Sequence, residues 1–198
     1  MSAVAIVASG GANVASMQFA LQRLGRESEV TANPARIRDA SHVILPGVGA
    51  AADAMERLRC VGLDSVLPRL QQPVLGVCLG MQLLFEASEE GSASCLGIIA
   101  GRARRIPGAA GRPVPHMGWN TLTIRRPHEL LEGIDENAHA YFVHSYALEV
   151  GPATIASTEY GPIFSACVQW RNFLGTQFHP ERSASFGALI LKNFLGLN

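Results

Sequence analysis

The chain has 198 residues, of which 48% are apolar and 16% charged. This is the composition of one sizeable globular domain rather than of a disordered chain. Sixteen Lys and Arg balance sixteen Asp and Glu, so net charge gives no attraction to nucleic acid or to an anionic membrane. The opening stretch MSAVAIVASG lacks a charged region followed by a long apolar one, and no apolar run reaches spanning length. A cytoplasmic protein with no membrane or nucleic-acid partner is therefore expected. Cys60, Cys78, Cys95 and Cys167 show neither CxxC nor zinc-type spacing, which predicts free thiols and no metal.

In chain order, Val4 to Ala8 is a short β-rich run that ends in Ser9-Gly10-Gly11. Asn13 to Leu24 has helical periodicity, with Gly25 as its stop. Glu29 to Thr31 and His42 to Leu45 read as strands, the second closed by the Gly-rich turn Pro46 to Gly49. Ala50 to Arg59 reads as a helix, Val74 to Val77 as a buried strand and Leu79 to Ala87 as another helix. Strands alternating with helices predict an α/β fold around a largely parallel sheet. The second half changes character: 98–106, 121–124, 139–149, 154–157 and 165–178 look extended, which predicts a smaller antiparallel extension. Ser183 to Leu195 closes the chain as an amphipathic helix. No repeat or linker divides residues 1–198, so one domain is expected.

Gly76-Val77-Cys78-Leu79-Gly80 has the form of a strand-to-helix elbow around a nucleophile. The glycines suit places where backbones approach too closely for a side chain. The bend exposes the sulfur and sets the following N–H groups at a helix N-terminus, where developing negative charge is stabilised. The competing reading is a buried structural cysteine beside packing glycines. A thiol nucleophile needs a base, and His179 in FLGTQFHPE follows an extended run and precedes Pro180. Glu181 can orient the ring; taken alone, HPE also suits an ordinary turn. The other histidines, His42, His128 and His139, read as structural or solvated. His116 in PHMGWN and His144 in YFVHSY lie in strings that composition does not explain. The turn Pro46 to Gly49 can present N–H groups to an anion, or be a common loop.

GVCLGMQ and TQFHPE, with LPGVG upstream, together resemble the class I glutamine amidotransferases, the triad-type glutaminases. The likeness extends over essentially the whole chain. Within that class, LPGVG, PHMGWN, YFVHSY and GTQFHPERS resemble the glutaminase subunits of imidazole glycerol phosphate synthase. The resemblance implies a flavodoxin-like domain with no cofactor. It implies hydrolysis of glutamine to glutamate and ammonia. The ammonia passes to a TIM-barrel cyclase subunit, which makes imidazole glycerol phosphate and an aminoimidazole carboxamide ribonucleotide in histidine biosynthesis.

Carried over by position, the resemblance makes Cys78 the nucleophile, His179 the general base and acid, and Glu181 the orienting carboxylate. The N–H of Leu79 becomes one oxyanion donor, and the Val48-Gly49 turn supplies the second. Gln82 and Glu90 match positions that hold the substrate's α-amino and carboxylate ends. His144, Ser145 and Tyr146 match a strand that pairs with bound glutamine. Asn13 matches an interface asparagine, and Trp119, Asn120, Tyr141 and Arg182 are further interface candidates. For Trp119, Asn120 and Tyr141 a packing role is the alternative, and Arg102, Arg104 and Arg105 are either a solvated face or a partner contact. Two departures from the resemblance are present: Ser9 to Ala12 replaces a stretch that usually holds a tyrosine, and Arg182 stands where a lysine is common. Other readings of the same motifs are another class I glutaminase, a free-standing cysteine hydrolase, and a catalytically silent regulatory partner.

Overall fold

A computed structural model describes residues 3–9, 14–135 and 138–197. The strands are β1 (Val4–Val7), β2 (Ser28–Thr31), β3 (His42–Gly47), β4 (Val74–Cys78), β5 (Phe85–Ser88), β6 (Ala93–Ser94), β7 (Ile99–Arg105), β8 (His116–Thr121), β9 (Thr123–Ile124), β10 (His139–His144), β11 (Tyr146–Leu148), β12 (Thr154–Glu159), β13 (Ile163–Trp170) and β14 (Phe173–Thr176). The α-helices are α1 (Val14–Arg23), α2 (Pro34–Asp39), α3 (Ala51–Cys60), α4 (Leu63–Val66), α5 (Leu79–Leu83) and α6 (Ala184–Gly196).

The main sheet has the order β2-β1-β3-β4-β14-β13-β12-β9. Its first five strands are parallel to one another and the last three add antiparallel neighbours. The parallel strands β1, β3 and β4 are buried at every position, as strands covered on both faces must be. Side chains alternate between the two faces. Val4 and Ile6 pack with Met17 and Leu21 of α1 and Ile190, Leu191 and Phe194 of α6. Ala5 and Val7 pack on the opposite face with Ile37 of α2 and Met55 and Leu58 of α3. Two small sheets, β10-β8 and β11-β7-β5-β6, complete the molecule. The expected fold class holds, with the antiparallel part split between the far edge of the main sheet and these two small sheets.

Three local expectations change. The helix after Cys78 ends at Leu83 rather than Ala87, because Phe85–Ser88 pairs with β6 and β7. The apolar run there carries no information about which partner strand awaits it. The extended stretch 139–149 breaks at Ser145: β10 pairs with β8, while β11 pairs with β7 in another sheet. Between β2 and β3 an unanticipated short helix, α2, starts at Pro34. Asn33 caps it by accepting a hydrogen bond from Ala35 N–H at 2.9 Å, and Pro suits the first helical position.

The elbow depends on absent side chains. A Cβ built on Gly80 meets the Leu45 carbonyl oxygen at 1.8 Å, and one on Gly76 meets the Gly80 carbonyl oxygen at 2.6 Å. Backbone therefore touches backbone where α5 leaves the sheet beside β3. Gly80→Ala should lower stability by about 2–3 kcal/mol or prevent folding. Gly151→Ala, at a site with nothing within 4 Å of the added carbon, should change it by less than about 0.5 kcal/mol. Urea unfolding of the two variants checks this; equal midpoints contradict it.

Candidate active site

The carboxyl ends of three adjacent parallel strands, β3, β4 and β14, meet at one rim of the sheet. Cys78 is the last residue of β4 and pairs in register with Gly47 of β3, while Val77 pairs with Thr176 of β14. Three residues beyond β14 the chain reaches His179. This is the edge at which open α/β sheets build their sites.

Cys78 has φ 55° and ψ −111°, a conformation that costs a non-glycine residue about 1–3 kcal/mol. It holds the sulfur at the floor of a cavity of about 290 Å³. The cavity is also lined by Val48, Gly49, Leu79, Gln82, Glu90, His144, Ser145, Tyr146 and His179. Gly47 of the turn Pro46 to Gly49, Pro115 of PHMGWN and Val143 of YFVHSY join them. Cys78 remains 7% exposed. Its Sγ lies 3.6 Å from the Val143 carbonyl oxygen, to which the thiol can donate. Gln177 Nε2 approaches the sulfur at 3.7 Å as a donor.

His179 Nδ1 is 2.8 Å from Glu181 Oε1, and both side chains are less than 10% exposed. The segment that carries His179 is braced twice more. His179 N–H donates to the Tyr141 carbonyl at 3.0 Å, and the buried Ser183 hydroxyl donates to the His179 carbonyl at 2.7 Å. Burial by itself lowers the His179 pKa. Hydrogen bonds to Cys78 and Glu181, with the charges of both, outweigh it and raise the pKa to about 10. The sulfur and the carboxylate together thus favour the protonated form of the ring. Glu181 Oε2 is buried without a hydrogen-bond partner and lines a smaller adjoining cavity with Arg182.

Around the pocket the polar groups bind one another. Gln82, 3% exposed, directs Nε2 to the Tyr146 carbonyl at 2.9 Å and to Gln177 Oε1 at 3.0 Å. Glu90 accepts the Ala51 N–H, at the start of α3, at 3.0 Å. Burial raises the Glu90 pKa, the Ala51 bond opposes this, and Asp53 adds to it. The Ser9 hydroxyl donates to the Pro46 carbonyl at 2.9 Å and anchors the turn that carries Val48 and Gly49.

The interface candidates lie on the β8–β10 ribbon and beside it. Trp119 is 53% exposed and meets Tyr141 edge-on, with ring centroids 5.8 Å apart. The Arg182 guanidinium sits 5.5 Å from the centre of the Tyr141 ring. Asn120 faces inward and donates to the Glu159 carbonyl at 2.8 Å. Asn13 lies outside the described residues. The remaining cysteines are free; burial pushes the Cys95 thiol up to about 11 against a smaller opposing effect of Arg59, and raises Cys167 further. Among the described residues there is no cluster suited to a metal ion and no helix long and apolar enough to cross a membrane.

The chain belongs to the class-I glutamine amidotransferase family, whose model matches residues 5–196. It is 52% identical over 198 residues to the imidazole glycerol phosphate synthase subunit HisH of Xanthomonas oryzae pv. oryzae, spanning 100% of this chain and 99% of that one. It is 51% identical to the protein of the same name in Xylella fastidiosa, with the same coverage. Solved structures share the fold at lower identity. A glutamine amidotransferase superposes with a TM-score of 0.75 at 21% identity, covering 98% of this chain and 97% of that one. PurLQS from Thermotoga maritima does so at 0.71 and 17%, covering 99% of each chain.

Because the folded-state pKa of His179 lies above its ordinary 6.5, its protonation stabilises the fold fully below about pH 6.5. That contribution is lost as pH rises towards 10. Glu181→Gln should lower the His179 pKa, seen by NMR titration, and flatten the fall in stability between those pH values. An unshifted titration contradicts the assigned partner.

Proposed function

We propose that this protein is the glutamine-hydrolysing subunit of imidazole glycerol phosphate synthase, working through Cys78, His179 and Glu181. The observation that carries the reading is the shared cavity of Cys78, at its strained strand end, and His179, whose far nitrogen is 2.8 Å from Glu181. The family membership and the HisH relatives support it.

In this reading Cys78 attacks the carboxamide carbon as a thiolate, its proton held by His179. The tetrahedral oxygen takes hydrogen bonds from the N–H of Leu79, in the first turn of α5, where helix N–H groups have no partner within the helix. The Val48-Gly49 turn supplies a second donor. Removing one such donor costs about 3–4 kcal/mol of barrier in comparable acyl transfer. His179 gives its proton to the departing ammonia and leaves a glutamyl thioester. It then takes a proton from water, which releases glutamate. Glu181 keeps the ring oriented throughout.

Glutamine carries an ammonium and a carboxylate on one carbon. Glu90 matches the first by charge. The segment His144-Ser145-Tyr146, where β10 gives way to β11, offers main-chain groups along the pocket wall. Gln82 acts through that segment, because both of its N–H donors are directed to Tyr146 and Gln177. The ammonia passes to a TIM-barrel cyclase subunit. That partner docks on the face carrying Met117 and Trp119, which are 63% and 53% exposed, with Tyr141 and Arg182 beside them. Exposed apolar side chains in one patch mark a protein interface.

Glutamine hydrolysis without a waiting acceptor is wasteful. Gly49 has φ +86°, and a peptide turn there that completes the oxyanion donors only on docking gates the reaction. Purified alone, the protein should release glutamate slowly. In complex with a ligand-bound cyclase subunit it should do so much faster, and Cys78→Ala should lower the stimulated rate at least about a thousandfold. Equal rates with and without the partner remove the gating. Retained activity in Cys78→Ala removes the mechanism.

A further inference from the structure

We propose that His116 is a positioning residue for glutamine binding: it locks the neighbouring His144 ring into a single tautomer and so holds the β10–β11 junction that lines the pocket. The inference deepens the glutaminase reading and rests on it for its kinetic consequence, though not for its chemistry.

Alternate residues of β8 face opposite ways. Met117 and Trp119 point out, while His116 is buried at 3% exposure and Asn120 turns inward. In the β8–β10 pairing His116 stands opposite His144, and His116 Nδ1 is 3.0 Å from His144 Nε2. The direction of each hydrogen bond follows from the two ends. The Tyr146 carbonyl can only accept, so His144 Nδ1, 2.8 Å away, carries a proton and donates. At the other end Asn120 Oδ1 accepts the Thr121 N–H at 2.9 Å, and its amide nitrogen donates to the Glu159 carbonyl at 2.8 Å. That nitrogen also lies 3.4 Å from His116 Nε2. An amide nitrogen has no acceptor site, so His116 Nε2 is the bare nitrogen. His116 Nδ1–H then donates to a bare His144 Nε2, and every assignment agrees.

The hydrogen bonds run one way, from Asn120 through two neutral rings to the Tyr146 carbonyl. Neutrality is expected of both sites. Burial lowers the His116 pKa to about 4. It lowers that of His144 to about 3, against the Tyr146 bond and with help from the charges of His116 and His179. His116 is stacked on Tyr160, with ring centroids 4.0 Å apart, and on Phe142, at 5.0 Å.

The lock matters because Tyr146 is a junction. Its carbonyl accepts from His144 and from Gln82 together, and Ser145 and Tyr146 both line the cavity. In the other tautomer His144 would set a lone pair against the Tyr146 carbonyl and a proton against His116 Nδ1–H. Both contacts repel. A ring that only filled space at position 116 would impose no such choice.

NMR of protein labelled with ¹⁵N-histidine at pH 7 reads the tautomers directly. Both rings should be neutral with the proton on Nδ1. Either ring protonated on Nε2, or charged, overturns the assignment, and this needs no variant. His116→Phe keeps a flat ring between Phe142 and Tyr160 but removes the hydrogen bonds. With a native-like amide spectrum, it should release His144 into mixed tautomers. In complex with the cyclase subunit it should raise the KM for glutamine about fivefold while kcat changes little. His116→Asn, whose amide can donate where Nδ1–H did, should recover most of the KM. An unchanged tautomer and KM in His116→Phe overturn the positioning role. Absence of glutaminase activity in the wild type would defeat the proposed function instead, and the tautomers would still decide the lock.

Discussion

Backbone contact between α5 and the end of β3 is the constraint on which the site rests. Gly80 sits so close to the Leu45 carbonyl that no side chain fits between them. This lets β4 turn into a helix within one residue, and that residue, Cys78, takes a positive φ. A wider turn would carry the sulfur away from β14 and leave the Leu79 N–H pointing elsewhere. The strain at Cys78 is offset by the surrounding strands, which are buried on both faces and leave the bend no room to relax. Strain held by a rigid frame is the usual condition of a preorganised reactive group.

The second requirement is a satisfied polar shell. Gln82, Gln177, His144 and Tyr146 are joined by hydrogen bonds around the pocket, and Ser183 ties the His179 segment to β10. In a low-dielectric interior each such bond is strong, and each missing one is costly. The shell therefore fixes the pocket wall to one geometry before a substrate arrives. The same ribbon, β8–β10, presents Trp119 outward and His116 inward. The ribbon thus reaches the exposed face through Trp119 of β8 and the pocket wall through Val143 and His144 of β10, which joins the two mechanically.

Much of this could be read in the chain itself. The apolar runs VAIV, HVIL and VLGV are legible as buried parallel strands because their burial is two-sided and continuous. GVCLG is legible as an elbow because only glycine tolerates so close a backbone approach as that at Gly76 and Gly80. Other features depend on partners distant in sequence. Phe85 to Ser88 has no local signal that separates helix from strand, and β6 and β7 decide the matter. Ser145 divides an extended run because its two halves join different sheets. Gln177 stands inside TQFHPE, yet its hydrogen bonds to Gln82 and Cys78 span 95 and 99 residues. The pairing of His116 with His144 required the β8–β10 register, although both unusual strings, PHMGWN and YFVHSY, pointed to those positions.

In the proposed mechanism the thiol at the elbow is the group that meets the glutamine carboxamide. This is tested most directly by treating the protein, in complex with the cyclase subunit, with a glutamine-like electrophile and mapping the adduct by peptide mass spectrometry. A single adduct on Cys78, suppressed by excess glutamine, is the predicted result. Modification of Cys60 or Cys95 instead, or labelling of Cys78 that glutamine does not protect, would contradict it.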